Sequence, residues 1–551
     1  MKMRASTLLG IGFFTVASTL SGAGFAAGLG NMTYTPAEYQ KPISVFNGTT
    51  FKSGPPGSNT ALMLRDYFIV MGSNDSGKPP GALHVFDVKD PRKPVLLKTL
   101  GNTPETNSLR ELHAMPVAMI DGKDFLVMPT LTGIQFFDFT NPLDPKPSGA
   151  LALTGVNGGD YDNAAWQVSW SWPYVFVGGT GNGFYIVDAT DPARPTLVTR
   201  VMSGTLGNFR VGPIHAAGNY VVVSGMDQGP TKIVVLDVSN PRVPMVKAMG
   251  MAPAEMYAAV VIGDRIFGAG ATGLYSFVKW SPTAITTIAM KKFGTDKGGY
   301  CTYQDGFAIC GQSSEGYRKI DMRDDANIVE VGHADLPDAS ADTDFATVMG
   351  NLVYLGNDHG SGAAFIPHSM LPDTTAPAVV NSYPADQSIS QPLSTRLTVF
   401  FSDEIDIGTI TPTNMIVRKN GGAAVPGVFT HSSFNAISFG PRQPLEANST
   451  YEVVMPAGGL KDLVGNAIKT SVTVRFSTGP TLAPPLMGTG GMGGSSAGSG
   501  GSGAGGAGGI AGGTGGTDPG TGGTTTGTGG ASSGGASGGS GGALGSSGGS
   551  T

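Results

Sequence analysis

The chain reads as all-β: a seven-bladed β-propeller, then a β-sandwich, then a disordered Gly-rich tail. Three observations predict this. A strand pattern recurs about every fifty residues through the first two thirds of the sequence. No 3.6-residue hydrophobic period intervenes between copies. Residues 481–551 contain 32 Gly in 71 positions and one charge, Asp518, too little apolar surface to fold.

The first element is an export signal over residues 1–27. Lys2 and Arg4 precede an apolar run from Leu8 to Leu20, and Gly24-Phe25-Ala26 offers a small-residue cleavage site. The run is too short to span a bilayer, so no transmembrane helix is expected once it is removed. The formal net charge is −6, and no basic cluster breaks the sequence, which argues against a nucleic-acid partner.

The repeats occupy residues 28–371. Four copies end a strand on the same Asp, at Asp87, Asp138, Asp188 and Asp237, spaced by 51, 50 and 49 residues. Each Asp is followed by Asn-Pro or Asp-Pro, then by a second Pro and another apolar run. Weaker copies around Gly273, Gly316 to Asp321 and Gly362 bring the total to seven. Upstream of each copy lies a turn between two β-branched or aromatic runs, such as Gly218-Asn219 before Tyr220-Val-Val-Val, so each repeat holds four short strands. Seven such units make a propeller. The seventh lacks its fourth strand, and the segment from Ile43 to Phe46 resembles a spare one. That segment is expected to pair beside Ala363 to Ile366 and close the ring, which removes a free edge.

These repeat cores, among them His84-Val-Phe-Asp-Val, Tyr185-Ile-Val-Asp-Ala and Val234-Val-Leu-Asp-Val, resemble the LVIVD-repeat propellers of bacterial and archaeal surface proteins. The resemblance implies a fold and a surface location, and no reaction.

Residues 372–480 follow a polar joint at Asp373-Thr-Thr-Ala-Pro377. Short alternating strands, including Leu397 to Ser402, Ala436 to Phe439 and Tyr451 to Met455, predict a β-sandwich. Phe401-Ser-Asp-Glu-Ile, Pro444-Leu-Glu-Ala-Asn-Ser-Thr-Tyr451 and Asp462-Leu-Val-Gly-Asn466 resemble the bacterial Ig-like domain of the S-layer (SbsA) type. The resemblance implies a spacer or adhesive module. The Gly/Ser/Thr tail over 481–551 is expected to span roughly 45 Å as a random coil.

The two cysteines are expected to pair. Asp305-Gly306 is a two-residue hairpin turn, and Cys301 and Cys310 stand equally far from it on either side. Counting outward makes them a non-hydrogen-bonded pair with Cα atoms ~4.5 Å apart, within disulfide range. The bland alternative is two buried free thiols.

No catalytic constellation stands out, and the expectation is that the chain is not an enzyme. The repeated Asp side chains, with Asp321, belong to different blades and suit turn amides better than one metal ion. None of the seven His shows zinc spacing. Loops at Ser73 to Ser76, Gly225 to Gln228 and Asn357 to Ser361 are oxygen-rich and of a kind that can hold Ca²⁺, but none has an EF-hand or RTX pattern, so no cofactor is expected. The mouth of the propeller is expected to be lined by residues 105–113, 160–166, 296–297 and 335–344. His113, Asp160, Trp166, Arg210, His215 and Glu255 are the candidate ligand-facing residues there. The function expected is a secreted or cell-surface binding, adhesion or structural protein, meeting an extracellular protein or polysaccharide. The alternative is an extracellular hydrolase or lyase working on the same face.

Overall fold

Why the repeats fold as blades is visible in the repeated Asp. In the computed structural model, the carboxylates of Asp87, Asp138, Asp188, Asp237 and Asp321 each accept the backbone N–H two residues on, at 2.9–3.0 Å. The Asp or Asn before the Pro repeats the device, as Asp191 does to the Ala193 amide at 3.0 Å. Each pair tightens the turn between third and fourth strands, and the five Asp belong to no common cluster of metal-ligating groups among the described residues. In six blades the register also slips by a bulge near the end of the third strand.

The structure describes residues 28–46, 60–72, 81–226, 229–334, 343–356 and 363–482. The expected signal peptide, almost all of the tail, and most of the oxygen-rich loops lie outside these residues, as do residues 335–342 of the mouth.

Seven four-stranded antiparallel blades are present. Their innermost strands are Ala61–Leu64, Val117–Ile120, Val168–Ser171, Val211–Ala217, Val260–Ile262, Cys301–Gln304 and Phe345–Met349. Innermost strands are buried throughout or at all but one position, while fourth strands are part-exposed, as in Val95–Gly101. The ring closes as the sequence requires: Ser44, Val45 and Phe46 pair with Phe365, Ala364 and Ala363 on the outer edge of the seventh blade. Cys301 and Cys310 pair across their hairpin and form the disulfide, with Cα atoms 3.9 Å apart.

The C-terminal domain is a sandwich of two sheets. One runs Val379–Tyr383, Leu397–Phe401, Ala436–Pro441, Gly427–Ser433; the other runs Ser388–Gln391, Val472–Thr478, Thr450–Met455, Ile416–Lys419. Its position corrects the expectation of a spacer. The edge strand Gly427–Ser433 pairs antiparallel with the innermost strand of the second blade, placing Phe429, Thr430 and His431 opposite Met119, Ala118 and Val117. The two domains thereby share one eight-stranded sheet. One apolar core runs through both, from Leu62, Val117 and Leu126 to Phe401, Phe429 and Phe439. Satisfying two strand edges and burying a common core binds the sandwich to the propeller rather than holding it away.

We call the face where the chain enters the innermost strands the top, and the face holding the turns between first and second strands the bottom. The sandwich lies against the bottom turns. The amides of Trp172 and Gly218 donate to Thr430 Oγ1 and Thr398 Oγ1, at 3.3 and 2.8 Å. The Asp305 amide donates to the Ser402 carbonyl at 2.6 Å. Ser432 Oγ donates to the Trp170 carbonyl at 2.6 Å, and Arg442 pairs with Asp121 at 2.5 Å. Gly263 abuts Asn381, and Gly350 abuts Val464.

Candidate functional site

With the bottom covered by the sandwich, the top is the remaining end of the channel. Loops entering successive blades carry their last residues to the axis there: Arg110, Glu111 and His113 before the second blade, Tyr161 and Trp166 before the third, Tyr257 before the fifth, Lys297 and Tyr300 before the sixth, Asp344 before the seventh. Trp166, Tyr257, Tyr300 and Asp344 sit within three residues of an innermost strand, which fixes their direction.

These side chains converge. His113 Nε2 lies 2.7 Å from Glu111 Oε1, both side chains fully buried. His113 Nδ1 lies 2.7 Å from the Trp166 carbonyl. The imidazole stacks on Tyr300 at 4.6 Å between centroids and lies tilted against Trp166 at 4.3 Å. Arg110 approaches Glu111 at 3.7 Å and lies over the Trp166 ring. Lys297 pairs with Asp344 at 3.6 Å and stands over Tyr257, whose hydroxyl accepts from Tyr161 at 3.1 Å. Burial disfavours ionisation of Glu111, but the charges of His113, Arg110 and Lys297 outweigh it and hold its pKa below the usual carboxylate range. Burial pushes the Tyr257 and Tyr300 hydroxyls far above theirs.

Of the residues expected to face a ligand, His113 and Trp166 belong to this cluster. Arg210 stands at its rim, bonded to Asp162 at 2.8 Å. Asp160 is exposed and caps its own turn, accepting from the Asp162 amide and Asn163 Nδ2. Glu255 is buried against Gly270 within the fifth blade. His215 lies deeper in the channel, its Nε2 3.0 Å from the Ala259 carbonyl. It lines a 30 Å³ cavity with His113, Gln167 and His431, the last contributed by the sandwich. That volume suits a water or two. Burial lowers both His215 and His431 to about 4. Arg110, Glu111, Lys297 and Asp344 fall in the segments expected to line the mouth, whereas Tyr257 and Tyr300 lie outside them. The available signal was positional: Tyr257 and Tyr300 recur just before innermost strands of successive blades.

One group among the described residues could hold a metal ion: Asp373, Asp403 and Asp462, at the joint between the domains, offer oxygens within 4.8 Å of one another. Oxygen ligands of this kind suit a hard divalent cation. Burial pushes Asp403 well above the carboxylate range and Asp462 to about 6, with the neighbouring carboxylates adding to both.

The class of protein is therefore a seven-bladed β-propeller closed from below by a β-sandwich. More particularly, residues 163–203 and 211–249 match the LVIVD repeat, and residues 373–478 match the bacterial Ig-like domain, so the chain carries both. It is similar to an S-layer protein of Geobacillus stearothermophilus, 35% identical over 85 residues, 15% of this chain and 7% of that protein. The chain thus spans only a small part of that relative's length. Among solved structures it is similar to Chaetomium thermophilum Raptor, at 12% identity and a TM-score of 0.44 over 61% of this chain and 30% of that one. It is also similar to the β-propeller domain of Myceliophteria thermophila Cps50 (Swd1), at 8% identity and 0.43 over 57% and 98%. No helix among the described residues is long and apolar enough to cross a membrane.

Proposed function

We propose that this is a cell-surface or extracellular binding protein that recognises polysaccharide with the top face of its propeller. The observation that carries the reading is the division between the two faces. The bottom is covered by the Ig-like domain. The top ends in a buried ionic and aromatic plug whose outward side presents the half-exposed Tyr161, with Lys297 and the Arg210–Asp162 pair around it. An aromatic ring stacks on a sugar face, and fixed charged groups bond its hydroxyls. The plug keeps these groups in place, which lowers the ordering cost of binding. The Ig-like domain and the likeness to an S-layer protein support the location. The test is titration of the full chain with a panel of purified polysaccharides. Tyr161→Ala should weaken binding at least tenfold while leaving the fold intact; unchanged binding by that variant refutes the assignment.

A hydrolase or lyase on the same face is the second reading. It is favoured by the Glu111–His113 contact with Asp344 and Lys297 nearby, a set of acid and base groups of the right kinds. Against it, Glu111 and His113 are sealed beneath the aromatic rings. New reducing ends from a bound polysaccharide, abolished by Glu111→Gln, would establish it.

A further inference from the structure

We propose that the groove between the underside of the third and fourth blades and the Ig-like domain is a second binding site, one that takes an oxyanion group such as the carboxylate or phosphate of an acidic polymer. The groove encloses about 360 Å³. Its floor holds Arg396, which is 3% exposed. The guanidinium lies over the rings of Tyr174 and Phe176, at 5.2 and 5.9 Å. One Nη donates to the Val238 carbonyl at a long 3.4 Å, and Nε has no acceptor. Among the described residues no carboxylate forms an ion pair with it. Burial lowers its pKa to about 10, partly opposed by Tyr174 and Asp237, so it stays charged at neutral pH.

A buried guanidinium without a counter-ion is costly, and the two aromatic faces offset only part of that cost. Two further buried groups on the same groove, Ser239 Oγ and Ser394 Oγ, also lack partners. Three unsatisfied polar groups around one cleft describe the complement of an oxyanion: a planar fork that accepts it on the Nε edge, and two hydroxyls that can donate. An adjoining depression of about 440 Å³ shares Ser239 and Thr395 and adds Lys247, with Asp237, whose carboxylate accepts from the Ser239 amide at 2.9 Å, on the same wall; it gives the site length for a polymer rather than a lone ion. Leu482 forms part of the wall, but the sequence after it has no acidic residue before Asp518, so the adjacent tail brings no oxyanion of its own.

The test uses the full chain and three probes of equal length: an oligogalacturonate, a neutral galactose oligomer and linear polyphosphate, followed by calorimetry at low and moderate salt. At least one acidic probe should bind with salt-sensitive affinity and the neutral one should not. The tighter of the two acidic probes distinguishes a carboxylate source from a phosphate source. Arg396→Met should bind at least tenfold more weakly, and its ligand-free melting temperature should equal or exceed that of the wild type, because an unpaired buried charge has been removed. Arg396→Lys, which keeps charge but loses the fork, should bind several-fold more weakly. Full binding by Arg396→Met overturns the proposal, as does failure of both acidic probes. If that variant does not fold, the Ser239→Ala/Ser394→Ala pair decides: several-fold weaker binding upholds the site and unchanged binding refutes it.

Discussion

Adding one methyl group at Gly440 should pry the Ig-like domain from the propeller. A Cβ built there would stand 2.0 Å from the Trp172 carbonyl oxygen and 2.8 Å from its carbon. Both are backbone atoms of a bottom turn, so neither can swing aside. Restoring ordinary contact requires a shift of more than about 1 Å across a packed seam, and overpacking of that kind costs about 1–3 kcal/mol. The same shift strains the Trp172 amide bond to Thr430 and the Ser432 bond to the Trp170 carbonyl, at 3.3 and 2.6 Å. Losing a net hydrogen bond adds about 1 kcal/mol. Gly440→Ala should therefore destabilise the full chain by about 2–4 kcal/mol. Urea denaturation followed by tryptophan fluorescence reads this directly, since Trp170 and Trp172 lie at the seam. Gly204→Ala is the control, because a Cβ there meets nothing within 4 Å. A Gly440→Ala midpoint equal to that of the control would refute the tight docking.

Three further outcomes follow from the same structure. Unreduced, denatured protein should expose no free thiol. Because the Cys301–Cys310 bridge closes a short, already ordered hairpin, replacing both cysteines by Ala should cost no more than about 3 kcal/mol in urea unfolding. Asp403 holds its proton more tightly folded than unfolded, so it favours the folded state increasingly as pH falls from neutral towards 4. Asp403→Asn should accordingly stabilise at pH 7, with a gain that shrinks as pH falls from neutral towards the ordinary carboxylate range; a gain independent of pH would contradict the assignment. His215 works in the opposite sense. With its pKa lowered to about 4 by burial, the stability due to its neutral form is present above 6.5 and lost as pH falls through 4, so His215→Gln should flatten the acid limb of the stability profile.

Most of the propeller was legible because its signals are local. An Asp that caps its own turn and a Pro that ends a strand recur at a fixed spacing, and a missing strand in the last repeat has its replacement near the start. The disulfide was legible for the same reason, since one hairpin turn sets the register of both cysteines. The docking of the Ig-like domain was not. Its edge strand, Gly427–Ser433, ends in Thr430, His431, Ser432 and Ser433, a polar run that reads as solvent-facing, yet those hydroxyls satisfy the amides and carbonyls of the propeller's bottom turns. The mouth was legible as a set of loops and not as a cluster. Glu111 and Asp344 are 233 positions apart in the sequence, and nothing in their own neighbourhoods says that both reach the same axis. The Arg396 groove was invisible for a similar reason, because its parts come from two domains.

The most direct test of the account is amide hydrogen exchange on the full chain, read at the bottom turns. The amides of Trp172, Gly218 and Asp305 lie in turns that a free propeller would leave in water, and each donates instead to the Ig-like domain. Their exchange should be slowed to the rate of the neighbouring inner strands, while the Tyr161 amide in the top loop exchanges quickly. Fast exchange at Trp172, Gly218 and Asp305 would mean that the bottom face is open, and the assignment of the top as the recognition face would fall with it.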